Sequence, residues 1–147
     1  MKSHKKATKE TCPVARSLEI VGDRWSLLIL RNALDGMRRF GEFQKDLGLS
    51  KSVLATRLQV LISNGILQVV PGEHGSAYQH YELTAKGRGL FHVIVGLRQW
   101  GEAFLFAPRE EHSVMVERVS RKPIGPLALR SSTGKSLSPG DVVVQKI

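Results

Sequence analysis

Apolar positions recur at helical spacing on both sides of one short interruption. Phe40, Phe43 and Leu47 fall at i, i+3 and i+7, a single stripe on a 3.6-residue period. Gly48-Leu49-Ser50 breaks that stripe, and Ser50 is a good N-cap for a second helix because its hydroxyl can accept from an unpaired first-turn amide. In the second helix Leu54, Leu58, Leu61 and Ile62 form the buried stripe. At about 100° per residue Ser52, Thr56, Gln59 and Ser63 take the opposite face, with Arg57 on one flank. Residues 40–64 therefore read as two helices joined by a tight turn.

The flanking pattern supplies the remaining elements. Cys12-Pro13 opens a first helix whose stripe is Val14, Leu18 and Val21 and which Gly22 ends. Asp23 caps a second, residues 24–34, apolar on nearly every face and so expected at the centre of the core. After Asn64-Gly65, a helix C-terminal pair, come Ile66, Leu67, Val69 and Val70, a Gly/Pro loop, and alternating residues 78–83, which together predict a β-hairpin. Thr84 caps one last helix, along which Leu90, Ile94, Leu97, Gly101 and Phe104 follow a 4-3-4-3 spacing. From residue 107 onward Pro108, Pro123, Pro126 and Pro139 punctuate short apolar runs, which suggests a small β appendage.

Helix, helix, helix-turn-helix, hairpin, helix is the order of a winged helix-turn-helix domain. The expected class is α+β, mainly α: a basic arm at residues 1–11, the winged domain at 12–106, and a β-rich appendage at 107–147. Phe91, Val93, Val95, Trp100 and Leu105 add apolar surface beyond what one small domain can cover. A symmetric homodimer is therefore expected. Its seam would comprise Val14, Leu18 and Val21 with Leu90, Ile94, Leu97, Trp100, Gly101 and Phe104.

Composition narrows the partner. The 147 residues are 41% hydrophobic, enough for one domain with a core and an extension. Lys+Arg 22 against Asp+Glu 13 gives +9, so polyanions should be attracted, with double-stranded DNA ahead of an anionic membrane surface. No segment approaches the roughly 18 consecutive apolar residues of a spanning helix, and the N-terminus lacks a signal-peptide core, so the expected compartment is the cytoplasm. Cys12 is the lone cysteine and the five histidines are scattered, which leaves no disulfide framework, no metal site and no expected cofactor. Enzyme signatures are likewise missing. Residues 132–136 end like a phosphate-binding loop, but Leu129 stands where that motif needs its first glycine, so a hairpin turn is expected there.

A buried stripe backed by small polar and amide side chains suits a helix lying in a major groove. Ser52, Thr56, Gln59 and Ser63 would face bases, and Arg38, Arg39, Lys45, Lys51 and Arg57 would grip phosphates, helped by the N-terminal arm. Arg57 has a second reading, as the partner of an acidic residue that holds the helices together. Cys12, at a helix N-terminus near Lys9 and Arg16, is either a thiolate-prone reactive residue or a small packed one.

The stretch CPVARSLEIVGDRWSLLILRNALDGMRRFGEFQKDLGLSKSVLATRLQVLISNGILQVV, followed by YELTAKGRGLF and LRQWGEAFLF, resembles the HxlR family of bacterial transcriptional regulators. That resemblance implies a dimeric winged helix protein related to MarR regulators, binding operator DNA through residues 51–64, with residues 67–83 as the wing. It also implies a redox- or electrophile-sensing role for an N-terminal cysteine such as Cys12. Two departures stand out. Ala55 occupies a position where relatives are expected to carry a hydroxyl, and residues 72–79 at the wing tip contain no Arg or Lys. The resemblance stops before the appendage, which leaves a small-molecule effector site or a protein-binding module there as the alternative reading.

Overall fold

The computed structural model describes residues 11–72 and 78–147. The wing tip falls largely on residues 73–77 and the basic arm on 1–10, so both expectations lie outside the described residues.

Among the described residues six α-helices and two strands follow the expected order up to the hairpin, with two helices after it: α1 (Pro13–Val21), α2 (Arg24–Leu34), α3 (Phe40–Leu47), α4 (Lys51–Ser63), β1 (Leu67–Pro71), β2 (Gln79–Leu83), α5 (Ala85–Arg88) and α6 (Phe91–Phe104). Local chemistry sets these boundaries. Asp23 accepts the Ser26 amide at 2.9 Å to start α2, and Ser50 accepts the Val53 amide at 3.3 Å to start α4. Between α3 and α4 the chain turns through Gly48 at φ 64°, a left-handed conformation that costs a glycine nothing. The strands pair antiparallel, with Leu67 opposite Leu83 and Pro71 opposite Gln79.

Two compact units divide the chain, one ending at Ile94 and the other running Val95–Ile147. This boundary falls inside α6 rather than at the expected 106/107. In the first unit, Ile29 and Leu30 of α2, Phe43 of α3, Leu54, Leu58 and Leu61 of α4, and Leu67 of β1 are almost wholly buried. Each such side chain stabilises the fold by about 1.5–3 kcal/mol relative to exposure. Around α2, Trp25, Leu27 and Leu34 are only half-buried against this core, so that helix is less enclosed than its all-round apolarity suggests.

The last helix departs from expectation. Thr84 caps only the four-residue α5, accepting the Gly87 amide at 3.0 Å, and α6 begins separately at Phe91. Gly87 is buried so closely against the residue that enters β1 that an added Cβ would lie 2.2 Å from the Ile66 carbonyl oxygen. That contact fixes α5 against the strand, and Gly89 supplies the low helix propensity at which the chain redirects.

Within Val95–Ile147 the expected β appendage is reduced to two turns. Single antiparallel bridges join Val116 to Pro123 and Arg130 to Ser136, and residues 139–141 form one 3₁₀ turn. Pro123 and its fellow prolines lack the amide a longer ladder needs. The turn at residues 131–135 closes through Gly134 at φ 90°, as expected for a hairpin turn rather than a phosphate loop. Polar clasps hold this segment to the C-terminal half of α6. The Gln99 side-chain amide donates to the Gly125 carbonyl at 2.9 Å and accepts from the Leu127 amide at 2.6 Å, and Arg98 donates to the Ser113 carbonyl at 3.0 Å.

Candidate nucleic-acid interface

Helix α4 is two-faced. Leu54, Leu58 and Leu61 are buried, whereas Lys51, Ser52, Ala55, Thr56, Gln59 and Ser63 are exposed. The polar side chains are held in place by their own helix: the Thr56 hydroxyl donates to the Ser52 carbonyl at 2.9 Å, and the Gln59 amide donates to the Ser63 hydroxyl at 3.2 Å. Ala55, Thr56, Gln59 and Ser63 line an open depression of about 480 Å³ along the helix. A second open groove, about 690 Å³, runs past the N-terminus of α3 and the start of α4 to β2, and is bordered by Arg39, Gln44, Lys51, Tyr78 and Gln79.

The basic residues separate into two groups. Arg39, Lys45 and Lys51 are exposed and have no ion pair among the described residues. Arg38 and Arg57 are engaged. The Arg38 guanidinium pairs with Glu82 of β2, its carbonyl accepts the Tyr81 amide at 2.7 Å, and its own amide donates to Glu42 at 3.1 Å. It ties the loop before α3 to the wing, so the guanidinium expected to grip phosphate has an acid partner in this structure. The Arg57 Nε lies 3.7 Å from the Asp23 carboxylate, which also caps α2, so the helix-holding reading of Arg57 fits its geometry.

Among the described residues, the Asp23 and Glu42 carboxyls are perturbed. Burial pushes the Asp23 carboxyl up, but the polar groups of Ser26 and then the Arg57 charge outweigh it and leave the group below its ordinary value. Glu42 also lies below the usual range, chiefly because the Arg38 amide donates to it; burial opposes this, and the Arg39 amide and charge add to it. A third acid, Asp46, accepts from Arg31 at 3.1 Å and from the buried Asn32 amide at 2.8 Å, joining α3 to α2. Asp23 was read from the sequence as the α2 cap, but not as the partner of Arg57, and the roles of Glu42 and Asp46 were not read. Pairs fourteen or more residues apart leave no periodic signal, though Glu42, three residues after the α3 cap, occupies the acid position of a capping box.

Cys12 is the exposed N-cap of α1 and belongs to no disulfide. Among the expected seam residues, Val14 and Leu18 are 67% and 57% exposed, and Leu97, Trp100 and Phe104 are also exposed. Val21 and Ile94 are buried within one chain's core and Leu90 is half-buried against it, so these three have little or no apolar area left for a partner. Gly101 is half-buried. Among the described residues no cluster of His, Cys, Asp and Glu could hold a metal ion, and no helix is long and apolar enough to cross a membrane.

The sequence model of the HxlR-like helix-turn-helix family matches residues 20–109, a span that contains α2 through α6. The chain belongs to this family. Its relatives include the uncharacterized HTH-type transcriptional regulator Mb3122 of Mycobacterium bovis, 46% identical over 98 residues. That match covers 67% of this chain and 61% of the relative, so the shared part spans less than two thirds of the relative's length. Among solved structures, PA1607, described as a candidate transcription factor, superposes with a TM-score of 0.88 at 49% identity over 99% of this chain and all of the other. The redox regulator HypR in its oxidized form superposes with a TM-score of 0.57 at 28% identity, over 63% of this chain and 96% of its own. The HxlR-like match thus stops near residue 109, whereas the likeness to PA1607 extends through almost the whole chain.

Proposed function

We propose that this HxlR-like chain is a sequence-specific DNA-binding transcriptional regulator that works as a homodimer, with α4 in the major groove. One observation carries the reading. The polar face of α4, from Lys51 through Ser63, is exposed and undivided, while its apolar face forms the centre of the core. Ser52, Thr56, Gln59 and Ser63 face base edges; Gln59 has the amide geometry that reads adenine. Arg39, Lys45 and Lys51 hold phosphates from the flank. Dimerisation uses the exposed apolar residues Val14, Leu18, Leu97, Trp100 and Phe104, with Gly101 allowing close approach. Footprinting on the DNA beside its own gene tests the proposal. The expected footprint is a near-palindrome with half-sites about one helical turn apart, or a multiple of it; protection of one isolated half-site by a monomer would count against it.

A second element concerns Cys12. Its exposure at the start of α1, next to Val14 and Leu18, and the likeness to a redox regulator support a reading in which its oxidation or alkylation alters the dimer and thereby DNA binding. Equal responses of wild type and Cys12→Ser to diamide and quinones in a DNA-binding assay would eliminate this role.

A further inference from the structure

We infer that residues 105–147 form an interaction surface for a second copy of this chain, extending the dimer seam beyond α6. The inference rests on the dimer reading above and adds to it a part for the segment past the HxlR-like match.

The segment has a defined backbone without a core of its own. No residue from 105 to 147 is buried, and five are half-buried. Fixing each residue of such a stretch costs about 1–2 kcal/mol of backbone entropy, which its few turn bonds and the Gln99 clasp do not offset. Burial against another surface would offset it. The segment is suited to that: Leu105, Phe106, Val119, Val143, Val144 and Ile147 are all exposed, with Val143 at 92% and Val144 at 80%. Together with the other exposed apolar residues of its unit, they offer on the order of 1,000 Å² per protomer, against about 800 Å² per partner in a stable interface. A solvated linker of this length would not carry so much apolar surface.

Two observations select a second copy as the occupant. Leu105 and Phe106 directly continue the exposed residues Trp100 and Phe104 of α6, so the segment prolongs the same apolar stripe that the dimer reading already pairs with its counterpart. Closed twofold symmetry then offers each extension an identical apolar surface at equal concentration. The likeness to PA1607, which is covered over its full length, shows that the extension and the winged domain occur together elsewhere.

The test uses the full chain carrying Val143→Asp and Val144→Asp together. Both side chains are open to solvent in one protomer, so the substitutions leave each chain's own packing intact. Sedimentation equilibrium is expected to show the dimer dissociation constant raised at least about tenfold over wild type. An unchanged constant overturns the inference while leaving the dimer reading standing, and so does an unchanged constant with weakened DNA binding, which would place DNA on the segment instead. A wild-type chain that stays monomeric at micromolar concentration overturns both. As a second measurement, a photo-cross-linking residue at position 143 is expected to give covalent dimers; exclusively intrachain products overturn the inference.

Discussion

Arg57 and Gln59 are two residues apart on α4 but point to different surroundings, because a two-residue step on a helix turns the side chain by about 200°. Arg57 faces Asp23 and Gln59 faces solvent. Gln59→Ala is therefore expected to leave urea unfolding unchanged and to relax sequence preference at one base pair by about 1–3 kcal/mol, as read by binding to a panel of operator variants. Arg57→Ala is expected to do the converse: to lower unfolding free energy by about 0.2–1 kcal/mol, as for other partly exposed pairs, with no change in base preference. Asp23 adds a pH dependence. Its folded pKa lies below the ordinary value of 3.8, so the stability it contributes is complete above that value and is lost as pH falls through the lower folded one. Asp23→Asn keeps a capping oxygen but removes the charge. Its unfolding free energy should consequently fall less than that of wild type between pH 5 and pH 3, measured by urea titration at each pH.

At the scale of elements, α5 shows where sequence and structure part. Both helices of the helix-turn-helix, the α4 cap and the hairpin were legible because each depends on neighbours within a few positions: Ser50 on Val53, Gly48 on the turn, residues 78–83 on their alternation. The break after Arg88 was not legible. The 4-3-4-3 apolar spacing begins only at Leu90, beyond the break, and what holds α5 in place is Gly87 meeting the Ile66 carbonyl, a contact between positions 21 apart that no local pattern encodes. The ion pair of Arg38 and the identity of the acid that Arg57 meets were hidden for the same reason, since the acids lie on β2 and at the start of α2. If the Gly87 contact fixes the start of α5, Gly87→Ala must displace backbone rather than a flexible side chain. It is expected to cost about 2–4 kcal/mol in chemical denaturation, well above the few tenths typical of an exposed glycine-to-alanine change. Gly125→Ala, where nothing lies within 4 Å of the added carbon, is the matched control and should be near neutral.

At the scale of the whole molecule, the net charge of +9 gives a long-range attraction to DNA but does not indicate which cations touch it. The ion pairs supply that sorting. With Arg38 and Arg57 occupied by acids, the cations left among the expected phosphate contacts are Arg39, Lys45 and Lys51, about six for a dimer. Each phosphate neutralised releases condensed counterions, so the slope of log affinity against log salt should be about −5, with about a thousandfold loss between 50 and 200 mM. Lys45→Gln removes one contact from each protomer and is expected to reduce the slope by about 2 while weakening all sequences alike, because phosphate contacts carry no base information. Arg38→Gln is the discriminating comparison. If Glu82 holds that guanidinium in the complex as it does here, the slope should stay at its wild-type value and the loss should appear in thermal stability. A slope that falls by the same amount in both variants would mean that DNA draws Arg38 away from Glu82, and the wing would then be anchored differently in the bound state.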